Sequence, residues 1–114
     1  MAFFQDRTRE ATHAHVALGG RLDLAGVAKV ERAFAFAATA RRLPVLLDMS
    51  ETTFIGSLGA GMIVAAAKAL ARQGQKLVIV RPTAMVRETL EAASLLEILP
   101  VADDEEHALA LLLA

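Results

Sequence analysis

The fold is decided by residues 45–80, which read VLLDMSETTFIGSLGAGMIVAAAKALARQGQKLVIV. Val45–Met49 is a compact apolar run of the kind found in strands that are covered on both faces, and Lys76–Val80 is a second such run. Between them, apolar side chains recur at helical spacing from Leu58 to Leu70, and Gly74 can take the left-handed conformation that ends helices. This order predicts a right-handed βαβ unit with two parallel strands.

The residues before this unit add two strands and a helix. Thr12–Leu18 alternates in hydrophobicity and predicts a half-buried strand ending at Gly19-Gly20, while Ala2–Gln5 predicts another short strand. From Leu24 to Arg42 the apolar residues follow helical spacing, and Pro44 stands just beyond. We therefore expect an amphipathic helix directly before the βαβ unit.

The residues after the unit complete a small layered domain. Pro82-Thr83 predicts the start of a third helix, and Ile98–Val101 predicts a short final strand. Asp103 is expected to cap a last helix, with Glu106 completing an Asp version of the capping box. Because no linker, charge block or repeat divides the sequence, residues 1–114 are predicted to form one α/β domain, with a mixed sheet of about four or five strands and about four helices.

Composition excludes several classes of protein. The 114 residues are 55% hydrophobic and 22% charged, which argues against disorder, and the net charge of -1 gives no bulk attraction to nucleic acid or anionic lipid. The longest uncharged stretch, Thr52–Ala67, is shorter than the ~20 apolar residues of a membrane span. Charges near the N-terminus argue against a signal peptide, so the expected location is the cytoplasm.

The segment from Asp48 to Gly61 is the expected place for function. It leaves the central strand and enters the second helix, and ligands of open α/β sheets bind at the carboxyl ends of the strands. Ser57 is expected at the start of the helix, where a phosphate would be stabilised by the positive end of the helix dipole. The alternative is that Ser57 only caps the helix, since Ser is a preferred N-cap residue. The neighbouring glycines would let another backbone or a ligand approach closely.

Three segments of the chain share an order and spacing with a known family. Gly20-Arg21-Leu22-Asp23 follows the early strand, residues 46–61 contain LLDMS and FIGSLGAG, and residues 80–87 read VRPTAMVR. Together with Leu99-Pro100-Val101 and the acidic start of the last helix, they resemble the STAS domain family, which is best known from bacterial anti-sigma-factor antagonists. The resemblance extends from about Ala14 to Leu113 and implies a β-sheet flanked by helices.

The resemblance also implies a function for the start of the second helix. In family members a Ser or Thr there is phosphorylated by a partner kinase that is itself the anti-sigma factor, and here the acceptor falls on Ser57. The family usually has Asp before the acceptor and Ser or Thr after it, where this chain has Gly56 and Leu58; near the end of the third helix, Ser94 replaces the family's Gly. The expected partner-binding residues are Asp23, Gly56, Ser57, Leu58, Gly59 and Gly61.

Other candidate sites are better explained by structure. His13 and His15 lie two apart on one strand, a spacing that could chelate a metal, but without a visible third ligand we interpret them, like His107, as part of a solvated face. The acidic run Asp103–Glu106 suits the first turn of a helix. Asp48 and Asp23 are expected at strand ends, where each could organise a turn or meet a partner.

Three classes of function follow. The first is an anti-sigma-factor antagonist-like switch that docks on an anti-sigma factor serine kinase, is controlled by phosphorylation of Ser57, and is reset by a phosphatase. The second is a non-switching STAS interaction module, such as a stress-signalling scaffold subunit or a lipid-transport accessory subunit, which Gly56 and Leu58 favour. The third, an enzyme, is disfavoured because no acid-base or nucleophile constellation is recognisable, and no cofactor or metal is expected. The sequence leaves the oligomeric state open, with Phe3 and Phe4 expected to be exposed near an edge strand.

Overall fold

A computed structural model describes all residues from Met1 to Ala114 and shows a five-stranded mixed sheet with four helices. The sheet order follows the chain order, β1 pairs antiparallel with β2, and all other neighbouring strands are parallel. The elements are β1 (Phe3–Asp6), β2 (Ala14–Leu22), α1 (Leu24–Thr39), β3 (Val45–Ile55), α2 (Ser57–Arg72), β4 (Leu77–Val80), α3 (Ala84–Ala92), β5 (Val101–Ala102) and α4 (Glu105–Leu112). The predicted fold class and the parallel βαβ unit are confirmed.

The two faces of the sheet are covered unequally. One face carries the main core, in which α1, α2 and α3 pack their apolar stripes on strand residues such as Leu18, Leu47 and Ile79. On the other face, α4 covers a second cluster formed around Leu46 and Val78. Burial of these two clusters from water is the main force that holds the layers together. No helix combines the length and the apolar character needed to span a bilayer.

The central strand is longer than the sequence predicted. Instead of ending at Met49 before a polar turn, β3 continues to Ile55, because β2 also continues beyond Gly19-Gly20 and pairs with it as far as Leu22. Thr52 is fully buried in this extension, and its hydroxyl donates a hydrogen bond to the Leu18 carbonyl over 2.9 Å. The polar residues after Met49 therefore belong to a strand, and the segment from Asp48 to Gly61 consists of strand and helix joined by Gly56 alone.

Several local expectations are corrected in the same way. The N-cap of α4 is Asp104, whose carboxylate accepts from the His107 amide over 2.8 Å, while the preceding residue, Asp103, pairs with Arg87. Phe3 and Phe4 are half-buried: the Phe3 ring covers Gly19, and the Phe4 ring meets Phe34 edge to face, with 6.4 Å between the centroids. The aromatic side chains of β1 therefore pack against other residues of the domain.

The second and third helices end in the same backbone motif with different residues. At the end of α2, the Gly74 and Gln75 amides donate to the carbonyls of Ala71 and Leu70, and Gly74 has a φ of 74°. At the end of α3, the amides of residues 94 and 95 donate to the carbonyls of residues 91 and 90, and Ser94 has a φ of 58°. Both ends are Schellman motifs, which normally place glycine at this left-handed position.

Exchanging these residues should change stability in opposite directions. Ser94→Gly should raise the free energy of unfolding by about 0.5–1 kcal/mol, because glycine takes the left-handed conformation without the steric cost of a Cβ atom. Gly74→Ser is the matched control and should lower it by a similar amount. Urea denaturation of both variants measures the effect, and a Ser94→Gly protein that is less stable than the wild type would contradict the argument.

Candidate functional site

The candidate site forms where β2 and β3 end side by side. Leu22 and Ile55, their last residues, are partners in the register, and the Gly56 amide donates to the Leu22 carbonyl over 3.3 Å. Each strand passes into a helix through a single residue, Asp23 before α1 and Gly56 before α2. The starts of α1 and α2 are therefore held next to each other at one edge of the sheet.

Asp23 organises the first of these helix starts. Its carboxylate accepts a hydrogen bond from the Gly26 amide over 2.9 Å, which makes Asp23 the N-cap of α1. Its other carboxylate oxygen lies 3.3 Å from Nε of Arg21. The Gly26 hydrogen bond, aided by the interaction with Arg21, places the pKa of the Asp23 carboxyl below its ordinary value. The side chain is 40% exposed, so the same carboxylate also faces solvent.

Ser57 occupies the start of α2 as the first helical residue. The N-cap is Gly56, which has an extended backbone and no side chain to form a capping hydrogen bond. The alternative interpretation of Ser57 as the capping residue is therefore wrong. Ser57 is exposed, and the first backbone hydrogen bond of the helix is donated by Ala60 to the Gly56 carbonyl over 3.0 Å. A hydroxyl at this position is accessible to a modifying enzyme and has no capping role to lose.

The glycines after Ser57 have different roles. Gly59 is buried, and a Cβ atom there would lie 2.9 Å from both the Leu22 carbonyl oxygen and Cγ1 of Ile55. Gly61 is exposed and has open space at its Cβ position. Gly59 thus allows α2 to approach the end of β2, and of the two only Gly61 lies on the surface where a partner could contact it.

Apolar and aromatic side chains lie at or next to the two helix starts. Leu58 is 54% exposed and Leu24, the first residue of α1, is 73% exposed. Phe54 is half-buried, and the guanidinium of Arg21 lies over its ring at 4.5 Å from the centroid. We use the name helix-start surface for Arg21, Asp23, Leu24, Phe54, Ser57 and Leu58.

Three members of the helix-start surface were not predicted. Leu24 lies three residues before Val27, so its spacing suggests a core position, although it is exposed in the structure. Arg21 and Phe54 become partners only through the extension of β2 and β3, after a register shift between Gly20 and Arg21. The β-branched and aromatic residues just before Gly56 were a signal for this extension, since such residues favour strands.

Asp48 is not part of this edge. It lies inside β3 opposite Val80, the last residue of β4, and Arg81 returns from there to donate to its carboxylate over 2.8 Å. The Asp48 side chain is only 5% exposed, and a second cation, Arg7, lies 3.7 Å away. Burial acts to raise the pKa of Asp48, but hydrogen bonds from Ser50 and the interaction with Arg81 together hold that pKa below its ordinary value. The expectation of a strand-end Asp48 is corrected to a buried ion pair.

His13, just before β2, and His15, near its start, lie at the opposite end of β2 from the helix-start surface. His13 is buried, with Nδ1 2.9 Å from the Thr12 hydroxyl, and His15 is half-buried, so the expected solvated face is wrong for His13. Burial is the main factor that lowers the pKa of His15. Both border a polar cavity of about 730 Å³ between the β1–β2 connection and α4. No three His, Asp or Glu side chains are grouped so that they could hold a metal ion.

Comparisons with known proteins agree with the architecture of a small α/β domain. The family model described as the STAS domain matches residues 6–108. The chain belongs to the STAS domain family. A comparison with curated proteins finds no matching sequence.

Solved structures show the same fold at low sequence identity. An anti-sigma factor antagonist from Mycobacterium paratuberculosis has a TM-score of 0.81 and 20% identity, over 100% of this chain and 94% of that chain. The anti-sigma factor antagonist SpoIIAA in its unphosphorylated form gives 0.75 and 19%, over 92% of each chain. The phosphorylated form of the Bacillus cell fate determinant SpoIIAA gives 0.70 and 17%, over 96% of this chain and 99% of that chain.

The different environments of Gly59 and Gly61 lead to a test of how the helix start is positioned. Gly59→Ala should destabilise the protein by about 1–3 kcal/mol, because the added methyl group overpacks the contact with Leu22 and Ile55. Gly61→Ala adds the same group to open space and should stabilise α2 by up to about 1 kcal/mol. Denaturant unfolding compares the two, and equal effects of both substitutions would be inconsistent with the close approach at Gly59.

The ion pair of Asp48 should produce a defined acid dependence of stability. Because its folded-state pKa lies below the ordinary value of 3.8, the contribution of the ionised carboxylate is complete above that value and is lost as the pH falls through the lower folded-state pKa. Asp48→Asn should therefore cost about 1–2 kcal/mol at neutral pH and progressively less in strong acid. Glu51→Gln, which removes an exposed partner of Arg7, is the control and should have little effect. A cost for Asp48→Asn that does not decrease in acid would refute this assignment.

Proposed function

We propose that this chain is a phosphorylation-controlled protein-binding switch, in which the helix-start surface docks on an anti-sigma factor serine kinase and phosphorylation of Ser57 ends the association. The observation that carries the proposal is the position of Ser57, exposed as the first residue of α2 and without a capping role. Membership of the STAS domain family and the descriptions of the structural neighbours as anti-sigma factor antagonists support the identity of the partner.

The unmodified surface has the chemistry of a docking site. Leu24 at the start of α1 and Leu58 at the start of α2 both expose apolar side chains. Their burial by a partner would contribute roughly 25 cal/mol per Å² of apolar area removed from water. Asp23 adds an ionised carboxylate at the same edge, which would orient a cation of the partner and contribute to specificity more than to affinity.

Phosphorylation would oppose this association in two ways. A phosphoserine brings about -1.5 to -2 charges to a surface that already contains Asp23, and its oxygens would have to lose water in an interface that includes Leu24 and Leu58. We expect the affinity to fall by about 100-fold, which corresponds to ~2.7 kcal/mol. A phosphatase that removes the group would restore binding. In this role the chain supplies the acceptor hydroxyl, the kinase supplies the catalysis, and both act in the cytoplasm.

The proposal predicts the behaviour of Ser57 variants toward such a kinase. In the presence of ATP and Mg²⁺ the wild-type chain should gain one phosphate on Ser57, detected by mass spectrometry, and should dissociate from the kinase. Ser57→Ala should bind and stay bound, whereas Ser57→Asp should bind about 10-fold or more weakly because it places a charge on the docking surface. Ser50→Ala, which removes another exposed hydroxyl from β3, is the matched control and should behave like the wild type.

A second candidate function is a STAS interaction module that binds without switching. Gly56 and the 54% exposed Leu58 favour it, because the residues next to Ser57 provide no acidic group and present an apolar contact instead. Equal binding of the wild type, Ser57→Ala and Ser57→Asp, with no phosphate transferred, would reject the switch. If Leu58→Ser abolished binding in the same experiment, the interaction module would be retained.

A further inference from the structure

The side chains of Arg21 and Phe54 stack near the ends of β2 and β3. The Arg21 guanidinium lies 4.5 Å from the centroid of the Phe54 ring, a distance typical of cation–π contacts. Cε2 of the same ring lies 3.3 Å from the position that a Cβ atom of residue 56 would occupy. Ser57 follows one peptide unit later. Arg21, Phe54 and Gly56 therefore lie against one another in that order, and Ser57 is the next residue along the chain.

The only other partner of the Arg21 head group is weak. Its Nε lies 3.3 Å from the Asp23 carboxylate, the two side chains are 58% and 40% exposed, and ion pairs of this kind contribute little to stability. The Asp23 carboxylate is already engaged as the N-cap of α1 through the Gly26 amide. Arg21 can thus leave Asp23 at small cost while the Phe54 ring keeps its guanidinium at the end of β2 and β3 where α2 begins.

We propose that Arg21 is the intramolecular partner of a phosphate on Ser57, with Phe54 as the residue that positions the guanidinium. A guanidinium binds a phosphate through two parallel hydrogen bonds, which are stronger than those of a neutral donor. The dianion gains more from this pairing than the monoanion, so Arg21 favours the fully ionised phosphoserine. Modification then moves Arg21 from Asp23 to the phosphate, which removes a surface cation from the reach of a partner.

This inference rests on the proposed function for its biological setting, and its test is independent of any kinase. Phosphoserine is placed at position 57 during translation through an expanded genetic code, and the second pKa of the phosphate is followed by phosphorus NMR in the full-length protein. Arg21→Gln should raise that pKa by about 0.5–1, because removal of an opposite charge disfavours the dianion. The difference should shrink at 1 M salt, since an exposed pair is screened.

Two further variants separate the position of the guanidinium from its charge. Phe54→Leu keeps Arg21 but removes the ring that positions it, so the pKa should rise by part of the Arg21→Gln effect. Arg32→Gln is the charge-matched control, because it removes an exposed cation from the middle of α1 and should leave the pKa unchanged. If Arg21→Gln and Arg32→Gln give the same pKa as the wild type, the pairing is refuted. Failure of a kinase to modify Ser57 would overturn the proposed function and leave this result standing.

Discussion

The parallel pairing of β2 with β3 along their whole common length is the constraint on which the rest of the structure depends. It continues beyond the end of β4 as far as the partners Leu22 and Ile55, and the Gly56 amide then closes onto the Leu22 carbonyl. Because the last residues of both strands are register partners, α1 and α2 start side by side. Gly59 allows α2 to pack closely against Leu22 in this position.

The environment of Ser57 is set by this pairing more than by the residues next to it in sequence. Arg21 and Phe54 belong to different strands, and they meet because they are register partners near the two strand ends. Gly56 has no side chain, and the ring of Phe54 lies against the space that a Cβ atom at this position would occupy. The helix-start surface of this chain therefore combines one anion, one cation, an aromatic ring, two exposed leucines and the exposed Ser57.

The sequence predicted those features that depend on local periodicity and on residues with strong conformational preferences. The apolar run at Val45, the helix that contains Met62 and its end at Gly74 were sufficient to predict the βαβ unit and to place Ser57 at a helix start. The extension of β3 could not be deduced from its polar residues alone, because the partner strand determines whether a polar segment stays in a sheet. The ion pair between Asp48 and Arg81 joins residues 33 positions apart and arises only from the strand register.

The single residue that connects β3 to α2 limits what a modification at Ser57 can do. The Gly56 amide donates to the Leu22 carbonyl of the neighbouring strand, and the Gly56 carbonyl accepts the first hydrogen bond of α2. Because β3 and α2 are joined by this one residue, there is no flexible loop that could change conformation around a phosphate. In the proposed switch, the main chains of the unmodified and the phosphorylated protein should superimpose closely. Phosphorylation would then change the electrostatic potential of the surface while the backbone stays the same. A binding partner would have to distinguish the two forms by their charge and not by their shape.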